Sequence, residues 1–265
     1  MPKTIQITYR VAEDAEALAR NAAEFLTAGI EQAIAARDVA RIAISGGNTP
    51  RRSFEMLADP ALPFCARIDW SRLLLFWVDE RCVSPESAES NYHMTQEALL
   101  AKVPLPAAQV IRMEGELDPA EAASRYESTL RNLFRLEGAE VPCFDLIALG
   151  MGDDGHTASL FPGTEALHEW MRLVVANHVP QKNTWRITLT APVINHARSV
   201  FFLIAGQDKA HVLHEVLQGP YHPEKMPSQL IRPESGKLLF LLDRAAAAEL
   251  PAPNAAGVGT LEGTR

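Results

Sequence analysis

The run Leu73, Leu74, Leu75, Phe76, Trp77, Val78 contains no polar side chain and ends abruptly in Asp79, Glu80 and Arg81. A strand apolar on both sides must be covered on both sides, as in parallel α/β sheets. Further strand-like runs occupy residues 41–44, 144–149, 172–176, 185–189, 200–204 and 238–242. Between them, residues 51–57, 91–100, 119–134 and 208–217 read as helices. Residues 11–34 form a clear amphipathic one, with Val11, Ala15, Leu18, Ala22, Phe25, Leu26, Ile30 and Ile34 on one face. This alternation predicts an α/β fold, a mainly parallel sheet with helices on both faces. The 265 residues show no internal repeat and no dividing linker, so a single domain over residues 1–250 is expected. Residues 251–265, mostly Ala, Gly, Pro and Thr without periodicity, are expected to be a disordered tail.

Hydrophobic residues make up 47% of the chain, enough for a substantial core, and the net charge of −8 argues against general nucleic-acid binding. Any anionic ligand must then be met by locally placed cations. Cys65, Cys82 and Cys143 are widely spaced and in no metal-like pattern, which points to reduced thiols in a cytosolic, cytoplasmic protein. Residues 1–10 lack the apolar core of a signal peptide, and no run approaches the roughly 20 apolar residues of a membrane span.

Chemistry concentrates where strands end. After the apolar run at 144–149 come Gly150, Met151, Gly152, Asp153, Asp154, Gly155, His156, Thr157, Ala158, Ser159, Leu160, Phe161 and Pro162. Open α/β sheets bind ligands at that edge. An imidazole two residues from a carboxylate that can orient it suits proton transfer near neutral pH. Gly150, Gly152 and Gly155 also match the spacing of a dinucleotide fingerprint. Asp153 and Asp154 would face the pyrophosphate, and Pro162 leaves little room for a helix, so that reading is rejected.

Ser45, Gly46, Gly47, Asn48 and Thr49 form a second loop of this kind, with Thr49 or Asn48 as a helix cap and Pro50 in the first turn. It suits a phosphate, since glycines allow close backbone approach and a helix start favours anions; an ordinary tight turn is the alternative. Asp79, Glu80 and Arg81 stand at the rim of the sheet, where a surface salt bridge competes with a fixed positive charge for a ligand. Ser90 is read first as a helix cap. Lys209 opens a helix against the usual preference for acids there, which suits an anionic ligand; a solvated lysine is the alternative. Arg186 is a further candidate cation, its alternative an edge-strand arginine. His211 and His214 lack a third ligand, so no metal site is expected.

Taken in order, Ser45 to Pro50, Trp77 to Arg81, Ser90 to Tyr92, Leu149 to Pro162 and Gly206 to Lys209 resemble the 6-phosphogluconolactonases, the lactone hydrolases of the pentose phosphate pathway. The resemblance runs from the first helix to about residue 250. It implies a Rossmann-like fold, no metal or organic cofactor, a cytosolic enzyme, and His156 as catalytic residue. The substrate implied is 6-phospho-D-glucono-1,5-lactone. Asp154 would orient His156, and Arg81 or backbone N–H groups would stabilise the oxyanion. Ser45 to Thr49, Asp79, Lys209 and Arg186 would bind the substrate and its phosphate.

Glucosamine-6-phosphate deaminase, from the same superfamily, has a glutamate five residues after its histidine and Asp-Glu-Tyr in place of Asp-Glu-Arg. Here those positions hold Phe161 and Arg81, which favours the lactonase. A non-catalytic sugar-phosphate sensor is the other alternative, but only about ten residues precede the expected first helix, too few for a helix-turn-helix module. No nucleic acid or membrane is expected as partner.

Overall fold

The computed structural model describes residues 4–233 and 235–264. In chain order the strands are β1 (Thr4–Ala12), β2 (Ala40–Ile44), β3 (Leu73–Trp77), β4 (Asp79–Arg81), β5 (Val110–Ile111) and β6 (Leu146–Leu149). They continue as β7 (Val174–Val179), β8 (Thr184–Leu189), β9 (Ser199–Ile204), β10 (Lys237–Asp243) and β11 (Val258–Thr264). The helices are α1 (Ala15–Arg37), α2 (Asn48–Ala58), α3 (Phe64–Arg67), α4 (Asn91–Ala98), α5 (Pro119–Phe134), α6 (Ala191–Asn195) and α7 (Ala210–Gln218).

Among the described residues, eight strands form one sheet in the order β11-β1-β10-β9-β6-β2-β3-β5, and β4-β8-β7 form a second. Neighbours in the large sheet run parallel except β1 with β11. The period-two alternation of its strands sorts the core. Ile42, Ile44, Leu75, Trp77, Leu146 and Ala148 pack with α1 and α2, whereas Ala43, Phe76, Ile147 and Phe202 pack with α5 and α7. Both faces are thus dry, and the strands read as apolar throughout for that reason.

Two expectations at the chain ends are corrected. The helical pattern begins at Val11, but the chain stays extended as β1 to Ala12, and Asp14 caps α1 by accepting the Ala17 N–H at 2.8 Å. Val11 satisfies a helical spacing while pairing with Leu242 in the sheet. The tail is not disordered over its second half, because β11 pairs with β1 from Thr4 opposite Thr264 to Arg10 opposite Val258. Its glycines look like linker composition, yet a Cβ on Gly259 would lie 1.9 Å from the Tyr9 ring. Arg265 lies outside the described residues.

From β2 the chain builds outward through β3 to β5, then returns to add β6, β9 and β10 on the other side. The loops after β2 and β6 therefore leave adjacent strands in opposite directions, which opens a crevice beyond the strand ends. Val78 joins the two sheets: its N–H donates to Ile44 O at 3.0 Å and its carbonyl accepts from Leu189 at 2.8 Å. The short sheet consequently stands over that crevice. No helix among the described residues is long and apolar enough to cross a membrane.

Candidate active site

Beyond β6, residues 150–156 fold into a tight turn closed by Gly152 N–H donating to His156 O at 2.9 Å. Gly155 adopts φ 77°, which favours glycine. The turn sets Nδ1 of His156 2.5 Å from Oδ1 of Asp154, and the same oxygen accepts the His156 backbone N–H at 3.1 Å. Gly152 makes the space, since a Cβ there would lie 2.0 Å from Nδ1. Burial pushes the Asp154 carboxyl up, but the hydrogen bond and charge of His156 outweigh it and hold the group below its usual range. In the neutral ring, an ionised Asp154 favours the proton on Nδ1, so that Nε2 is the acceptor. No helix follows the three glycines; the next feature is a bridge between Thr157 and Leu160.

Phe161 lies against the imidazole with ring centroids 3.9 Å apart and planes at 20°. Between them the backbone is held hard. Thr157 Oγ1 donates to Gly150 O at 2.8 Å, and Ser159 Oγ donates to Asp79 Oδ2 at 2.6 Å. Ala158 sits between these anchors at φ 48°, a left-handed conformation that costs a non-glycine residue about 1–2 kcal/mol.

After β2, Ser45 donates through both N–H and Oγ to Ala148 O, at 3.0 and 2.9 Å. Gly47, at φ 109°, is the residue that precedes α2, and no side chain caps the helix. Asn48 and Thr49 are therefore not caps but first-turn residues, where backbone N–H groups lack intrahelical partners. Gly46 is obligatory, because a Cβ would lie 1.9 Å from Asn91 Oδ1.

Arg81 and Arg186 stand directly opposite each other on antiparallel β4 and β8. Arg186 is in the central strand of the short sheet, not at an edge. Burial, then the charge of Arg81, lowers the Arg186 pKa. Each Nε is buried without a partner, although Arg81 Nη1 donates to Glu89 O. Facing like charges are unfavourable unless an anion answers them. Asp79, Glu80 and Glu89 supply part of that charge from nearby. Asp79 also accepts from Asn91 Nδ2, at 2.9 Å through its carbonyl and 3.4 Å through Oδ1. Lys209 follows Gly206 and pairs with Asp208 at 3.2 Å, its own side chain only 21% exposed.

These residues meet. Ser45, Gly46, Gly47, Asn48, Thr49, Asp79, Arg81, His156, Arg186 and Lys209 all line one cleft of about 640 Å³, with Asp154 behind His156. Sequence reasoning missed Gly152, whose role needs the ring position, and Lys182, an exposed lysine beside β8 that joins the lining. Ser90 caps α4 as expected, accepting from His93 N–H at 3.1 Å, while its neighbour Asn91 faces the cleft. Among the described residues, no His, Cys, Asp and Glu side chains gather as a metal site.

Residues 13–240 match the family model of glucosamine-6-phosphate isomerases/6-phosphogluconolactonase. The chain belongs to this family. A relative named 6-phosphogluconolactonase, from Synechocystis sp., is 43% identical over 226 residues, covering 85% of this chain and 90% of its own. The 6-phosphogluconolactonase of Trypanosoma brucei superposes with TM-score 0.81 at 29% identity, covering 92% of this chain and 99% of that one. A crystal structure of a devB protein gives TM-score 0.84 at 33% identity, covering 92% and 100%.

Proposed function

We propose that this member of the family hydrolyses 6-phospho-D-glucono-1,5-lactone to 6-phospho-D-gluconate in the oxidative pentose phosphate pathway. The observation that carries the reading is the Asp154–His156 pair, 2.5 Å between Oδ1 and Nδ1, in a cleft rich in guanidinium and ammonium groups. We read the sheet as Rossmann-like, since β5-β3-β2-β6-β9-β10 follows the doubly wound order.

A lactone is an activated ester, so water suffices as nucleophile and no cofactor is required. Nε2 of His156 takes a proton as water attacks C1, and Asp154 stabilises the imidazolium through Nδ1. The imidazolium then returns the proton to the ring oxygen as the C1–O bond breaks. The substrate phosphate rests on Ser45, Gly46, Gly47, Asn48 and Thr49, with Lys209 and Arg186, which fixes C1 near His156. Arg81, facing Arg186, is assigned to the same anion or to the developing oxyanion, which assay of the unphosphorylated lactone distinguishes. Asp79 serves as wall and anchor beside these cations.

Phe161 favours the lactonase over a deaminase-like isomerase, because a phenyl ring moves no proton. Free thiols at Cys65, Cys82 and Cys143 support a cytoplasmic location. The test is a coupled assay of 6-phosphogluconate formation. Activity well above spontaneous hydrolysis is expected; none above it would leave a sugar-phosphate sensor.

A further inference from the structure

We propose that Ser159 is a positioning residue that ties the His156 loop to the second sheet and so sets the imidazole's distance from Arg81 and Arg186. The inference rests on the reading of His156 as general base.

Ser159 is fully buried, and its three polar groups reach all three strands of the short sheet. Oγ donates to Asp79 Oδ2 on β4 at 2.6 Å, N–H donates to Thr188 Oγ1 on β8 at 3.2 Å, and the carbonyl accepts from Asn177 Nδ2 on β7 at 2.9 Å. Two residues earlier, Thr157 donates to Gly150 O at 2.8 Å, just beyond β6 of the large sheet. The loop is thus fastened to both sheets within three residues, and left-handed Ala158 spans the gap.

Arg81 and Arg186 belong to β4 and β8, two of the strands that Ser159 holds. His156 immediately precedes the large-sheet anchor. The path from base to guanidinium pair therefore runs through Ser159. Its far end is firm, because Asn91 fixes Asp79 and is itself pressed over Gly46. The two backbone bonds would survive any side chain, so the serine hydroxyl is what adds the tie to β4, and its loss leaves the buried Asp79 Oδ2 without that donor. Catalytic geometry is sensitive to shifts of about 1 Å, which can cost on the order of 100-fold in rate.

The test compares Ser159→Ala, Ser159→Cys and the near-isosteric Thr188→Val with wild type, at temperatures well below each thermal midpoint. Ser159→Ala is expected to lower kcat by about 10- to 100-fold with KM within about threefold. Ser159→Cys, which keeps a weak donor, should recover part of the loss, and Thr188→Val should show a smaller loss in kcat. The ring ¹⁵N resonances of His156 should shift or broaden in Ser159→Ala, a readout that needs no activity. Wild-type kcat together with wild-type ring resonances in a folded Ser159→Ala overturns the proposal, as does a rise in KM alone. If Ser159→Ala does not fold, wild-type kcat and ring signals in Thr188→Val overturn it. An inactive wild type would refute the lactonase reading, while the ring signals still decide whether Ser159 positions His156.

Discussion

Phe161 covers one face of the His156 imidazole, with centroids 3.9 Å apart and the planes nearly parallel at 20°. The phenyl ring holds the imidazole in the plane set by Asp154, and its face attracts the cation formed when His156 accepts a proton. An aromatic pair of this kind contributes about 0.5–1.5 kcal/mol beyond burial. Phe161→Leu should therefore lower kcat roughly two- to tenfold, and Phe161→Tyr should lose less. Steady-state kinetics check this; an unchanged kcat in Phe161→Leu would remove the stack from the mechanism.

His156→Ala is expected to reduce kcat by about 100-fold or more while KM stays within a few-fold, since the imidazole acts mainly in the transition state. Gly152→Ala should imitate it. The new methyl would occupy the place of Nδ1, 2.0 Å away, and force the ring from Asp154. Losing the pair with Asp154 should lower the thermal midpoint no more than Asp154→Asn does, while kcat collapses. Full activity in Gly152→Ala would contradict the assigned ring position.

Asp154 links this site to acid stability. Its folded pKa is depressed, burial opposing and His156 prevailing. Such a carboxylate contributes stability that is present above its unfolded pKa, about 3.9, and lost as pH falls through the lower folded value. Asp154→Asn should accordingly lower the thermal midpoint at pH 6, and the gap to wild type should close as the pH drops below about 4. Calorimetric scans across that range test the sign. A gap that widened on acidification would show that Asp154 is not held ionised by His156.

Lys209 separates phosphate recognition from chemistry. With a net charge of −8, the chain repels an anion at long range and needs local cations to hold one. Losing a charged hydrogen bond typically costs about 1.5–3 kcal/mol, or roughly ten- to 150-fold in kcat/KM. Lys209→Ala should show that loss on the phosphorylated lactone and almost none on gluconolactone. Arg186→Ala should behave alike, whereas an Arg81 that serves the oxyanion would impair both substrates. Equal losses for Lys209→Ala on the two substrates would refute its phosphate role.

The large sheet and the cleft were legible because polar, glycine-bearing segments follow apolar runs where a core would not tolerate them. His156, Arg81 and the Ser45–Thr49 loop announce themselves in that way, and residues 119–134 match α5 end for end. Other features have no local signature. Val11 fits a helix and a strand equally, and only pairing with β10 decides it. Gly47 displaces Asn48 and Thr49 from the cap through its positive φ, which composition cannot display. For Arg186, a candidate cation in the sequence, the edge-strand alternative falls only when β4 and β7 are seen to flank β8. Gly152 matters only through where the turn sets the His156 ring, and Lys182 joins the cleft from a segment far along the chain.

The placement of β1 has a kinetic consequence. It precedes every other element, yet the strands on its two sides, β10 and β11, come from residues 237–264. A growing polypeptide therefore carries this segment without a partner until nearly all the rest has been synthesised. Pairings so distant along the chain are slow to form, because a long loop must close first. At this edge of the sheet, assembly runs opposite to synthesis: a strand made before the rest of the sheet is secured after it. In pulsed hydrogen exchange during refolding, the amides of residues 7–12 should gain protection together with those of β10, and after those of β2 and β3.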